Sequence, residues 1–238
     1  MERWAFITGA SGGIGQAIAK RLAKDGYNLY LHYYQNEQAV TSLQHELDVP
    51  SYVIQADLTK PSAIEEIKQQ LTTSIDLCVH NSGRSVFGLI TDMDSDTVTD
   101  MVNLHCTVPY LLTKEIIPNM VSKRSGHVVF ITSIWGEIGA SCETLYSMVK
   151  GGQNALVKAL AKELAPSGVY VNGVSPGAVQ TDMLNTFSEA DIQMLTEEIP
   201  AQRLAEPNEI AAVVSFLCSK DASYVNGQII GVNGGWHT

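Results

Sequence analysis

The chain has 238 residues, 45% of them hydrophobic and 17% charged, with a formal net charge of −10. That composition is ordinary for a globular protein with a sizeable core, and the acidity argues against a general nucleic-acid or acidic-membrane surface. No apolar run approaches the roughly 20 residues of a membrane helix. Cys78, Cys106, Cys142 and Cys218 form no CxxC pair, so no metal site and no disulfide is expected.

Met1-Glu2-Arg3-Trp4 leads at once into an apolar stretch, so no signal peptide is expected and the expected compartment is the cytoplasm. Trp4 to Thr8 predicts a short buried strand. It runs into Thr8-Gly9-Ala10-Ser11-Gly12-Gly13-Ile14-Gly15 and then an amphipathic helix, Gln16 to Lys24. Strand, glycine turn and helix make a phosphate-binding unit: glycines let the backbone approach a pyrophosphate, and the helix N-terminus offers free N–H groups. The spacing is Gly-x3-Gly-x-Gly, not the commoner GxGxxG. A purely structural turn is the alternative, and the position at the first βα junction favours the phosphate.

Further strands are expected at 28–34, 51–55 and 75–80, with helices from about Glu37 to Leu47 and from Pro61 to about Leu71. Short connections between such βα units imply a parallel sheet covered on both faces. A long helix is expected from Asp94 to Met120, interrupted at most mildly by Pro109 and containing Asn103. Val128 to Ile131 reads as a buried strand ending at Ser133, and a helix to about Leu164 carries Tyr146 and Lys150. A sixth strand spans 168–175 and a seventh 227–232, with a helix beginning at Pro207. The acidic stretch of about 182–202 reads as a lid over the carboxyl edge. No linker or repeat divides the chain, so 1–238 is expected to be a single domain.

Tyr146 and Lys150 are four apart, so on a helix they share a face. A cation beside a phenol favours the phenolate and makes the phenol a usable acid near neutral pH. Ser133 would stand at a strand's carboxyl end, where open α/β sheets place ligands. Taken alone, the Tyr/Lys pair also fits a half-buried Tyr beside a solvated Lys.

In this order the motifs resemble the short-chain dehydrogenases/reductases across essentially the whole chain. The resemblance rests on Thr8 to Gly15, Asp57-Leu58, Asn81-Ser82-Gly83, Asn103, Ser133 placed thirteen before Tyr146, Lys150, and Pro176-Gly177 with Thr181. It implies a Rossmann-type, doubly wound, seven-stranded parallel sheet with helices on both faces. It also implies a nicotinamide cofactor, hydride transfer to or from a carbonyl, and a homotetramer. By resemblance, Tyr146 is the general acid, and Lys150 lowers its pKa and holds the nicotinamide ribose. Ser133 bonds the substrate oxygen, and Asn103 holds a water that links Lys150 to solvent. Gly9, Ser11, Gly13, Ile14 and Gly15 line the pyrophosphate. Asp57 and Leu58 meet the adenine, Asn81 and Gly83 the adenosine side, and Pro176, Gly177 and Thr181 the nicotinamide end.

The family's Asn-Asn-Ala-Gly is His80-Asn81-Ser82-Gly83 here, and His80 is expected to be a core imidazole bonded to backbone. No acid ends the second strand, which closes Tyr33-Tyr34-Gln35-Asn36. A carboxylate there would repel a 2′-phosphate. NADPH is therefore expected rather than NADH, with Tyr34, Gln35, Asn36 and Ser11 as candidate phosphate contacts. Within the family, Asn81 to Ser85, Phe87 to Asp92, Ser133 to Glu137, Gly139 to Glu143, Leu145 to Met148 and Asn233 to His237 are similar to the elongation factor P 5-aminopentanone reductases of Firmicutes. That resemblance implies a ketone carried on a lysine of elongation factor P as substrate. An amine on such a substrate would suit carboxylates, and Glu137 and Glu143 are the candidates. Glu189, Asp191, Glu197 and Glu198 in the lid read first as solvated charges. The 3-oxoacyl-(acyl-carrier-protein) reductases are the alternative. Of the two cations those enzymes keep for their acidic carrier, one corresponds to Arg124 and the other to Ser167, which carries no charge. A non-catalytic nucleotide-binding scaffold is disfavoured because Ser133, Tyr146 and Lys150 are all present.

Overall fold

The structure, a computed structural model, describes residues 2–181, 184 and 188–238. Strands β1 (Arg3–Ile7), β2 (Tyr27–Tyr33), β3 (Ser51–Gln55), β4 (Leu77–His80), β5 (Gly126–Ile131), β6 (Val169–Pro176) and β7 (Ile229–Val232) form one sheet. Its order is β3-β2-β1-β4-β5-β6-β7, and every neighbouring pair is parallel. The helices are α1 (Gly13–Lys24), α2 (Glu37–Glu46), α3 (Ala63–Gln70), α4 (Ser95–Val102), α5 (Val108–Lys123), α6 (Trp135–Ile138), α7 (Thr144–Leu164), α8 (Glu189–Glu198) and α9 (Pro207–Leu217).

Successive strand residues point to opposite faces, and β1 shows the consequence. Ala5 and Ile7 pack with Ile18 and Leu22 of α1, Leu43 of α2, and Ile210 and Val214 of α9. Trp4 and Phe6 pack on the other side with Ile67 of α3, Leu112 and Ile116 of α5, and Val157 and Ala161 of α7. Both faces are thus buried, which is why the strands read as near-continuous apolar runs. The strand order reverses between β1 and β4. At that switch point a crevice opens beyond the carboxyl ends, where such sheets hold ligands.

The helix expected over 94–120 is two α-helices joined by a π-helical turn, Asn103–Thr107. Pro109 causes no break: it sits in the first turn of α5, directly after the π-helical turn, where the regular α-helical bonding is already interrupted. The expected lid begins in 182–187, which apart from Leu184 lie outside the described residues. Its second half is α8, on which no residue is fully buried. Asp191 accepts from Ser188 N at 3.0 Å and Ser188 Oγ at 2.7 Å, and Glu197 accepts from Gln193 at 3.1 Å. These two lid carboxylates are tied locally, as capping and surface groups. No described helix is long and apolar enough to cross a membrane. Among the described residues no group of three His, Cys, Asp or Glu could hold a metal, and all four cysteines are free.

Candidate active site

The turn after β1 is shaped by its glycines. Gly9 has φ +67°, and a Cβ there would lie 2.9 Å from Ser82 Cα. A Cβ on Gly15 would lie 2.2 Å from Gly9 O, so only glycine lets α1 start where it does. The N-cap of α1 is Gly12 with no side-chain cap, and the first turn carries no acid. Its N–H groups are therefore left to an anionic ligand. Thr181, expected at the nicotinamide end, meets the same turn: a Cβ on Gly13 would sit 3.1 Å from its Cγ2. Asn81 clamps the β1 and β4 ends, donating from Nδ2 to Thr8 O and Gly9 O at 3.0 Å each. Residues expected at the pyrophosphate and nicotinamide ends are thus neighbours, and the cradle fits a dinucleotide.

Of the residues expected to meet the adenine, Asp57 accepts at Oδ1 from Thr59 N at 3.0 Å and Thr59 Oγ1 at 2.8 Å. Leu58 turns its side chain into the core. At the end of β2, Tyr34, Gln35 and Asn36 are exposed, and Asn36 Oδ1 accepts from Ala39 N at 3.1 Å as the cap of α2. Gly83 packs on His105, whose Cε1 would be 2.7 Å from an added Cβ.

Ser133 follows β5 and is buried, and its Oγ accepts from Trp135 N at 3.2 Å. Tyr146 and Lys150 lie on one face of α7, with Lys150 Nζ 5.5 Å from the Tyr146 ring centre. Burial pushes Lys150 down to about 7. Its Nζ donates to Ile131 O at 2.7 Å. The expected lowering of Tyr146 is reversed here. Burial raises the phenol above its ordinary value, the Glu143 charge raises it further, and only the Ser133 hydroxyl acts in the other direction. The reason is that desolvation disfavours a buried phenolate, while the Lys150 Nζ is directed to the Ile131 carbonyl. Pro176 and Gly177 tie the end of β6 to its neighbours: the Pro176 carbonyl accepts from Ile134 N at 3.2 Å, and Gly177 N donates to Val232 O at 3.1 Å. Trp135 and Trp236 meet edge to face at 5.1 Å, which brings the Asn233 to His237 turn to the site.

Asn103 opens the π-helical turn, and its Nδ2 donates to Thr59 O at 2.9 Å. The carboxylates Glu137 and Glu143 separate. Glu137 Oε1 accepts from the buried Ser175 Oγ at 2.5 Å, back toward β6. Glu143 accepts from Ser85 Oγ of the loop after β4, and it sits at the N-cap of α7, three residues before Tyr146.

A phenol, an ammonium and a hydroxyl gathered beside a dinucleotide cradle are suited to protonating a carbonyl while a hydride is delivered. Residues 9–237 match the family model described as enoyl-(acyl carrier protein) reductase. Full-length relatives agree. The chain is 52% identical, over 100% of both chains, to the uncharacterized oxidoreductase YmfI of Bacillus subtilis. It is 34% identical, again over 100% of both, to the 3-oxoacyl-(acyl-carrier-protein) reductase FabG of Staphylococcus epidermidis. The chain belongs to the short-chain dehydrogenase/reductase family of oxidoreductases. A solved structure from Beutenbergia cavernae with bound NADP superposes with a TM-score of 0.92 at 28% identity, covering 98% of this chain and 96% of that one. YwfH, an NADPH-dependent reductase of bacilysin biosynthesis, has the same fold, with a TM-score of 0.93 at 23% identity and coverage of 100% and 99%.

Buried histidines and a threonine also shape this short-chain dehydrogenase/reductase site, and the roles of His32 and His105 carry no sequence signal. His32 accepts from Gly9 N at Nδ1, 3.1 Å, and donates from Nε2 to Ala56 O, 3.1 Å, so a neutral imidazole braces the glycine turn. Thr8 Oγ1 accepts from Asn81 N at 2.9 Å and Ser82 N at 3.0 Å. His105 packs edge to face on Tyr146 at 5.7 Å and donates to Arg84 O at 3.0 Å. His80 is a core imidazole as expected, but its partner is a side chain, Thr113 Oγ1 at 2.8 Å, not backbone.

Proposed function

We propose that this protein is an NADPH-dependent ketone reductase whose substrate is the 5-aminopentanone group on a lysine of elongation factor P. One observation carries the reductase reading. Ser133, Tyr146 and Lys150 converge at the carboxyl edge of the sheet, where Thr181 meets the turn built by Gly9, Gly13 and Gly15. When bound, NADPH supplies the hydride and leaves as NADP+.

The chain's own residues do the rest. Ser133 orients the carbonyl oxygen by a hydrogen bond. As the carbon accepts the hydride, the π pair moves to oxygen, which takes the phenolic proton of Tyr146 and becomes the alcohol. Lys150 stabilises the phenolate left behind, and Asn103 holds the water that returns a proton. Gly9, Ser11, Gly13, Ile14 and Gly15 bind the pyrophosphate. Asp57, Leu58, Asn81 and Gly83 flank the adenosine, and Pro176, Gly177 and Thr181 the nicotinamide. NADPH over NADH is supported by the carboxylate-free end of β2 and by the relative that binds NADP.

The identity of the ketone is supported by the likeness of Ser133 to Met148 to the aminopentanone reductases, and by the Glu143 carboxylate near Tyr146. The 3-oxoacyl-(acyl-carrier-protein) reductase reading is favoured by the relatives, and weakened at Ser167. Arg124 donates to Pro166 O at 2.9 Å beside that uncharged position, at the sheet edge opposite Tyr146. We place the protein in the cytoplasm as a homotetramer. That assembly is supported by an open groove between α5 and α7, lined by Cys106, Tyr110, Leu111, Gly152 and Leu156, which offers a face to a neighbouring subunit.

Mass spectrometry of elongation factor P from cells lacking this protein tests the substrate. Ketone accumulating on the modified lysine is the expected result. A fully reduced alcohol in those cells would transfer the reading to the acyl-carrier alternative.

A further inference from the structure

The two carboxylates bracketing the Ser133 loop are not equivalent. Glu137 is held by a buried hydroxyl of β6 and turns toward the sheet. Glu143 is the N-cap of α7, three residues before Tyr146 and near enough for its charge to act on the phenol. It is fixed there from two sides. Ser85 Oγ donates to its carboxylate, and Gly88 N donates to Cys142 O at 2.8 Å, joining the loop after β4 to the loop before α7. Cys142 adopts a left-handed φ of 61° in this connection. A single hydroxyl leaves most of a carboxylate's acceptor positions unfilled.

We propose that Glu143 is the specificity-determining residue of this site, and that its carboxylate binds an ammonium group carried on the ketone substrate. The proposal rests on the reading of the protein as a reductase of an amine-bearing ketone, and it selects one of the two candidate carboxylates. The geometry also supplies a reason for selectivity. An unneutralised carboxylate beside Tyr146 makes the phenol a weaker acid. An ammonium bound to Glu143 cancels that charge at the moment the proton is needed. Substrates with a cation are therefore turned over with a better acid than substrates without one.

The probe is 5-(diethylamino)pentan-2-one, which is cationic at neutral pH and cannot close to an imine, compared with the carbon analogue in which CH replaces nitrogen. The full-length protein with NADPH is expected to favour the ammonium ketone by at least about tenfold in kcat/KM, the worth of one charge-assisted hydrogen bond. Glu143→Gln is expected to abolish the preference by lowering kcat/KM for the ammonium ketone alone. The carbon analogue should be reduced at least as fast as by the parent. Ser85→Ala, which keeps the charge but frees the carboxylate, should lose part of the preference. A preference retained by Glu143→Gln overturns the proposal and leaves the amine reading standing. Both ketones falling together would show Glu143 to be only a structural tie, and overturns it too. No preference in the parent overturns the proposal and the amine reading together.

Discussion

Lys150 donates a 2.7 Å hydrogen bond from Nζ to the carbonyl oxygen of Ile131, at the end of the strand that delivers Ser133. The ammonium is buried to reach this position, and burial pushes it down to about 7. Below pH 7 the amine is charged in both folded and unfolded chains, and the folded state bears the full cost of burying it. That cost is relieved as pH rises from about 7 to 10.5.

Lys150→Met therefore should be inactive yet more stable at pH 6. Removing the buried charge releases roughly 5 kcal/mol. Ile131 O left without a donor returns about 1–3 kcal/mol. A net gain on the order of 2 kcal/mol raises Tm by roughly 5 °C in a chain of this size. Thermal unfolding of both proteins at pH 6 checks it, and an unchanged or lower Tm would show that the amine is not buried at a cost.

His32, His80 and His105 are buried and neutral, pushed by desolvation to about 4, 3 and 3 from an ordinary 6.5. Between pH 6.5 and 4 the unfolded chain binds more protons than the folded one, so stability falls as pH falls. At pH 5 each histidine costs about 2 kcal/mol. The urea midpoint is expected to drop markedly from pH 7 to pH 5. A flat profile would mean that these imidazoles are protonated in the fold.

NADPH is expected to bind more tightly than NADH. The β2 end carries no carboxylate before Glu37, so nothing there repels a 2′-phosphate. Fluorescence titration of the purified protein with each nucleotide decides it, and tighter NADH binding would reverse the assignment.

The sheet and the helix faces were legible because burial on two sides writes itself as apolar runs and 3.6-residue periods. The Tyr146/Lys150 pair was legible for the same reason, since four residues on a helix define a face. Contacts between distant segments were not. Ser85 meets Glu143 across 58 residues and Ser175 meets Glu137 across 38, and no local pattern records either. The π-helical turn at Asn103 was hidden because its residues suit an α-helix equally well. Helix α1 begins at Gly13, not Gln16, because the glycine turn itself enters the helix. Strand β7 begins at Ile229, not Gly227, because Asn226 and Gly227 bond to Val171 as a loop. The sign of the Tyr146 shift was missed because a sequence shows the cation but not the desolvation.

The most direct measurement is the rate of NADPH oxidation by the purified protein with a small diketone, for the parent and for Tyr146→Phe. The parent should turn over. The variant, which keeps the ring that packs on His105, should bind NADPH as tightly and lose about 10²–10⁴-fold in kcat, the scale of general acid catalysis. Activity within about threefold of the parent would remove Tyr146 from the chemistry, and with it the reductase mechanism described for this site.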